Sequence, residues 1–328
     1  MQNGEDTEIV TEPPRCPFRV CDPPSDFSRM GEGRDFEYNT TTRIFTYVKC
    51  PKCGLVVNAT LPVPQEMARI YPNNYYSFSD SNGENPLFTA LRNQIERAKA
   101  AQLRQLIGKD TAAVVDIGCG VGRMLDMLAS QGSKNWRFAG VEIGADAAAT
   151  ARQKGYDVRA GDFDFLDLSD WEGRFDLAVM HQVIEHTRYP RDTLGKANAL
   201  LAPGGFLSIE TPDLNSWDRR IFGGRYWGGW HIPRHFFIFD KKSLSSLAEI
   251  MGFEIVSVRS ITSPACWILS IHNMMTESRY LRRFANLILP ENPALSAVAT
   301  LIDLVQIKLF GTSSNMQIIL RKIKDAPA

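Results

Sequence analysis

Residues 114–122 read VVDIGCGVG, and this stretch decides the fold. Val114, Val115 and Ile117 are β-branched residues of the kind a buried strand prefers, and Gly118, Gly120 and Gly122 follow at once. Glycine at these places lets the chain turn through dihedrals closed to other residues. It also lets a ligand approach bare backbone beside the N–H groups that open the next helix. The stretch reads as strand, turn and helix, with a small molecule at the turn.

Outward from this corner the chain alternates. Residues 87–107 carry apolar side chains at spacings of three and four and close on Gly108, which predicts a helix before the strand VVDIG. After it come helix RMLDMLASQG, strand FAGVE, helix DAAATARQKG, strand YDVRAG, strand FDLAVM and helix TLGKANALLAPGG. Then follow strand FLSIET, helix SLSSLAEIMGF, strand FEIVSVRS and, last, strand MQIILRKI. Asp240 stands as the N-cap of the SLSSLAEIMGF helix. Leu244, Leu247, Ala248 and Met251 share one face of it, and Gly252 closes it. Such alternation predicts an α/β fold with a doubly wound parallel sheet covered on both faces, whose ligands bind outside the carboxyl ends of the strands.

Which ligand is a matter of charge and of one absent glycine. A dinucleotide fingerprint would place its third glycine where Arg123 stands. Asp116, two residues before the first glycine, repels a pyrophosphate and welcomes an ammonium group. Glu142, about twenty residues on, is placed as acids are that accept hydrogen bonds from ribose hydroxyls. Adenosine carrying a zwitterionic amino acid is S-adenosylmethionine (SAM).

The ordered set D-I-G-C-G-V-G, Glu142, Gly161-Asp162-Phe163, FDLAVMHQVIEH and LLAPGGFLSIETP resembles the motifs of class I SAM-dependent methyltransferases, over roughly residues 85–262 and 314–323. The resemblance implies a Rossmann-like sheet of seven strands, the last antiparallel. It implies a cofactor site built from Asp116, Gly118, Cys119, Gly120, Gly122, Glu142, Ile143, Asp162, Phe163, His181 and Gln182. Adenine is expected near Asp162 and Phe163, and Cys119 serves as a small residue inside the turn.

A chain of 328 residues, 44% hydrophobic and 23% charged, suits an ordinary soluble domain plus a smaller appendage. Lysines plus arginines equal aspartates plus glutamates at 37 each, so no global field draws it to a nucleic acid or an anionic membrane, which leaves only a local patch for such a partner. Residues 1–14 are polar and proline-ended and read as a disordered leader rather than a signal peptide, which points to the cytoplasm.

Residues 15–80 form the expected appendage. Cys16 and Cys21, then Cys50 and Cys53 in CPKCG, are spaced as the four thiolates of a structural, zinc-ribbon-like site; free buried cysteines are the alternative. LPVPQEMARI follows as a short helix, and the aromatic segment YPNNYYSFSD as a pocket lid or a packing surface.

Residues 264–311 lie outside the minimal core of the 85–328 domain. They carry ACWILSIHNMM, a basic-aromatic helix RYLRRFANLIL and a longer amphipathic helix from about Pro293 to Phe310. Their apolar face reads as a packed helical cap or a homodimer contact ahead of a peripheral membrane contact.

Methyl transfer from a sulfonium is an in-line displacement in which positioning does most of the work, and a base must take the acceptor's proton. Four of the five histidines fall near the expected cleft, His181, His186, His231 and His235. By its match to an H-x-x-x-F-D pattern of the resembled family, His235 is the first candidate for general base and His231 the second. Arg234 is the candidate grip for a substrate phosphate or carboxylate. Glu185 and His186 match part of an E-x-x-E-H metal motif known in some methyltransferases, but Gln182 takes the place of its first acid.

The function expected is methylation, on oxygen or carbon, of a small-molecule, sugar or lipid-linked acceptor, since similar cysteine and histidine segments occur in sugar methyltransferases. The alternatives are a ribosomal or transfer RNA methyltransferase gripping RNA through the ribbon, and an NAD(P)-dependent oxidoreductase.

Overall fold

The structure, a computed structural model, describes residues 9–18, 27–72, 86–132 and 135–327. The chain divides between two units. One gathers the described part of Met1–Asn73 with Pro212–Ser243 and Ser260–Asn315; the other takes Asn74–Thr211, Leu244–Arg259 and Met316–Ala328.

The first unit begins with β1 (Thr11–Glu12), β2 (Ser28–Gly33), β3 (Phe45–Lys49), β4 (Val56–Asn58), β5 (Leu61–Pro62) and the single-turn helix α1 (Met67–Ile70). Disorder, expected to residue 14, does not hold for residues 9–14. Ile9 is fully buried, β1 pairs antiparallel with β5, and the Arg43 guanidinium donates to the Ile9 carbonyl at 2.8 Å. The segment YPNNYYSFSD lies outside the described residues from Asn73 onward.

The second unit holds the alternating part. In chain order it runs α2 (Pro86–Ile107), β6 (Ala113–Ile117), α3 (Arg123–Gln131), β7 (Arg137–Glu142), α4 (Ala145–Gln153), β8 (Asp157–Ala160), β9 (Phe175–His181), α5 (Pro190–Leu200) and β10 (Leu201–Pro212). After the chain's second passage through the first unit come α7 (Lys241–Ile250) and β12 (Phe253–Ile261), and after its third comes β13 (Asn315–Lys322). The seven strands form one sheet in the order β12-β13-β10-β9-β6-β7-β8, and the pairs from β10 to β8 are parallel.

Every residue of β6 is buried, which explains its unbroken apolar reading apart from Asp116. Val114, Leu177 and Val179 of the sheet pack with Ala100, Leu103 and Ile107 of α2 and with Trp136. Burying each of the valine, leucine and isoleucine side chains among them contributes about 1.5–3 kcal/mol. Strand order reverses between β6 and β9, so the crevice beyond their carboxyl ends is the place for a ligand.

One boundary differs from the sequence reading. Helix α5 stops at Leu200, not at Gly205. Leu201 already pairs with Phe175, and the register breaks before Phe206 pairs with Leu177, across Pro203 and a Gly204 at φ 76°. Asp240 does cap α7, accepting the Ser243 N–H at 2.7 Å.

The rest of the first unit comprises α6 (Trp217–Tyr226), β11 (Phe237–Ile238), α8 (Pro264–Glu277) and α9 (Pro293–Phe310). Strand β11 pairs with β4 and completes a four-stranded sheet β11-β4-β3-β2. Phe45, Tyr47, Val56, Trp227, Trp230 and Ile238 pack together as its core. The basic-aromatic segment is a 3-10 turn over Arg282–Leu287 rather than a longer helix.

Candidate functional site

The glycine corner is built as its sequence requires. Gly118, Gly120 and Gly122 have φ of 79°, 53° and 85°, the left-handed region that glycine enters without steric cost. A Cβ on Gly118 would stand 2.5 Å from Val183 Cγ2. Gly122 is the N-cap of α3. The corner is tied to the end of β7 by Glu142, whose carboxylate accepts the Gly120 N–H at 2.8 Å and the Gly144 N–H at 2.7 Å.

Asp116 and Glu142 are both nearly fully buried. Burial first, and the neighbouring Glu142 charge second, push the Asp116 pKa up to about 8. Burial also raises Glu142, against the pull of its backbone donors. Two acids in one buried corner form a site that a cation would complete.

The other candidates for the cofactor follow along the same strand ends. Ile143 is 56% exposed directly after Glu142, an apolar surface beside a carboxylate. Asp162 is exposed and turns its loop by accepting the Asp164 N–H at 3.0 Å. The Phe163 ring is buried, with the Lys196 ammonium 5.1 Å from its centroid, and its carbonyl accepts from the same ammonium. Cys119 likewise packs its side chain into a cluster with Leu125, Ala148 and Ala151, where burial raises its thiol pKa.

His181 ends β9 with Nε2 3.0 Å from the Ser208 hydroxyl, and burial lowers its pKa to about 4, so it is neutral near pH 7. Gln182 sits at φ 56°, its N–H donating to the Glu210 carbonyl. Glu185 is buried, accepts the Thr211 hydroxyl at 2.9 Å and is raised by burial to about 8, while His186 is half-buried.

The candidates for acceptor chemistry lie in the first unit, on the loop between α6 and β11. The Tyr47 hydroxyl of β3 lies 2.7 Å from the His235 carbonyl oxygen and 3.2 Å from that of Trp230, which holds this loop on the small sheet. His231 and His235 stand with ring centroids 5.0 Å apart. His235 Nδ1 is 2.8 Å from the Gly229 carbonyl; a carbonyl only accepts, so Nδ1 carries the proton and Nε2 is the basic nitrogen. His231 Nδ1 contacts the Glu37 carboxylate at 2.8–2.9 Å, the arrangement that orients a base.

Arg234 is not a substrate grip. Its side chain is fully buried, its two terminal nitrogens donate to Asp35 at 3.1 and 2.9 Å, and its guanidinium lies 4.4 Å from the Tyr38 ring centroid. Asp35 also accepts from the Tyr38 and Thr40 N–H groups and the Thr40 hydroxyl. Burial works to raise its pKa, but Arg234 and these donors outweigh it and hold it below the usual range. Neither Asp35 nor Glu37 carries a local signal, because each meets its partner almost 200 residues away.

The cysteines converge as far as they are described. Cys53 shares thiol hydrogen bonds with Cys16 and Cys50, which raise its pKa together with burial. In CPKCG the Gly54 N–H donates to the Cys50 carbonyl at 2.9 Å, with Gly54 at φ 73°. Cys21 lies outside the described residues.

The pattern of the methyltransferase-domain family matches residues 91–258, just over half of the chain. An uncharacterized 37.1 kDa protein in transposon TN4556 of Streptomyces fradiae is 31% identical over 123 residues, which are 36% of this chain and 35% of that protein. The mitochondrial ubiquinone biosynthesis O-methyltransferase of Candida albicans is 28% identical over 149 residues, 42% and 44% of the two chains. The trans-aconitate 2-methyltransferase of Rhodopseudomonas palustris is 31% identical over 134 residues, 38% and 48% of the two. The chain thus spans less than half the length of these relatives. Among solved structures, the Burkholderia thailandensis 1,6-didemethyltoxoflavin-N1-methyltransferase aligns with a TM-score of 0.48 at 18% identity, over 86% of this chain and 96% of that one.

Proposed function

The chain belongs to the methyltransferase-domain family, and from that premise we propose that it moves a methyl group from SAM to a small-molecule acceptor. One observation carries the reading. Asp116 and Glu142 share a buried, glycine-cornered turn in which, among the described residues, no side-chain cation offsets the burial that raises Asp116. SAM, when bound, supplies the methyl on a sulfonium and an ammonium that such a corner suits.

On this reading Asp116 takes the ammonium, and Glu142 keeps lone pairs for ribose hydroxyls while its backbone donors hold it in place. Ile143 gives the adenine an apolar surface, and Asp162 accepts from its exocyclic amine. Proton removal falls to His235 through Nε2, its tautomer fixed by Gly229, or to His231 held by Glu37. The small acceptor class is supported by the ubiquinone-pathway and trans-aconitate relatives.

The four-cysteine segment is proposed to hold a structural zinc. Three of its thiols already share hydrogen bonds, and soft thiolates are the donor set zinc favours. Elemental analysis of never-chelated protein should find stoichiometric zinc that is lost in Cys50→Ser.

Calorimetric titration tests the central claim. Binding of SAM and of its demethylated product is expected well below about 1 mM, a bound of about 4 kcal/mol. Folded protein that holds neither would refute it. For the base, His235→Ala should keep SAM affinity and lose about 100-fold or more in turnover.

A further inference from the structure

We propose that α9 and the turn before it form a docking surface for an anionic phospholipid membrane. The helix is built inside out. Its buried stripe is Ser296, Ala299, Asp303 and Gln306, spaced three and four apart. Its outward face is Val298, Leu301, Ile302, Leu304, Val305 and Leu309, all at least 40% exposed.

The inward stripe is fixed by specific bonds. Asp303 accepts the Ser263 N–H at 2.5 Å and the Trp267 indole N–H at 2.9 Å, both at the start of α8, and the Ser296 hydroxyl donates to the Pro290 carbonyl at 2.7 Å. Rolling α9 over to hide its apolar face would break these bonds and expose buried polar groups to apolar neighbours. The apolar face is therefore held outward. The 18-residue helix is long and apolar enough to cross a membrane, but a polar stripe bonded to α8 makes it lie on one instead.

Charge names the partner. Arg279, Arg282 and Arg283 line an open groove of about 440 Å³ with Tyr280, which is 77% exposed, and Leu287 beside them is 67% exposed. Among the described residues none of these arginines is paired with a carboxylate. At the other end of α9, Trp217 stacks 4.5 Å from Phe310, Arg220 lies over Trp217, and Lys308 is exposed. Both ends thus set a cation beside an amphipathic aromatic ring, the pairing suited to a headgroup layer above acyl chains. A second copy would offer its own basic ends to these basic ends, and glutamate-rich complementarity is absent from the face, where Glu291 is the one exposed acid between Arg279 and Phe310.

Vesicle flotation of the full chain tests this directly. At low salt the wild type should float with mixed phosphatidylcholine–phosphatidylglycerol vesicles and much less with phosphatidylcholine alone. Leu301→Glu with Leu304→Glu should reduce anionic-vesicle binding by about tenfold or more, and Arg279→Glu with Arg282→Glu should abolish the preference for anionic lipid. Both positions of each pair are exposed, and thermal melting checks folding. Wild-type protein that stays at the bottom with anionic vesicles overturns the proposal without need of any variant. So does equal flotation on both lipids, or a wild-type dimer that the leucine pair dissolves while no vesicle binding occurs. Because flotation does not depend on SAM, its failure leaves the methyl-transfer reading untouched.

Discussion

Two buried aspartates, Asp35 and Asp116, solve the same problem in opposite ways. Asp35 faces Arg234 and three further donors and is pulled below the usual carboxylate range. Asp116 faces Glu142 and is pushed to about 8. The first is electrostatically finished and serves the fold. The second is unfinished, a buried acid in a glycine corner with no cationic partner among the described residues, and it is there that the proposed cofactor's ammonium would complete the structure.

The largest effect that would break this comparison lies at Asp35. Asp35→Asn leaves the Arg234 charge buried without its counterion and should cost about 3–5 kcal/mol of stability, read as a fall in the urea midpoint. If the variant melts like wild type, the pair is not what holds the histidine loop. Asp116→Asn should do the reverse to the free protein, leaving it as stable as wild type or more so near neutral pH, because it removes an acid that burial disfavours. Its loss appears in binding, about 1.5–3 kcal/mol of SAM affinity, measured by calorimetry. Equal losses of stability from both variants would erase the distinction.

How legible these regions were follows from how local their causes are. The sheet could be read because each strand and its helix lie next to each other in the chain, and glycines punctuate them: VVDIG, FAGVE and FDLAVM are strands as read. Asp116, Glu142 and the glycines could be read because a strand end, a turn and the next strand end place them. Arg234 was misread because its partner, Asp35, is distant in sequence and no spacing rule joins them. Glu37 was missed beside His231 for the same reason. For α9 the length was legible and the sidedness was not. Yet the polar positions 296, 303 and 306 already traced a single stripe, and only the bonds from Asp303 to α8 reveal that this stripe is the inner one.

The smallest effect, and the sharpest, is in pH. Asp116 has a folded pKa of about 8 against about 3.9 for an unperturbed aspartate. Between those values the folded protein holds a proton that the unfolded chain has released, so stability falls as pH rises through this window. From about pH 6.5 to 7.5 the share of Asp116 approaches about 1.4 kcal/mol. Glu185, also raised to about 8, adds a slope of the same sign, so Asp116→Asn should flatten the dependence without abolishing it. Asp35 acts in the other direction, since its lowered pKa gives stability that is complete above the ordinary aspartate range and lost as pH falls through its folded value. Denaturation midpoints across this range, with and without saturating SAM, separate the two. An ammonium beside Asp116 should remove its share of the slope, whereas a slope that neither SAM nor Asp116→Asn changes would place the raised proton elsewhere and leave the corner without its claim to a cation.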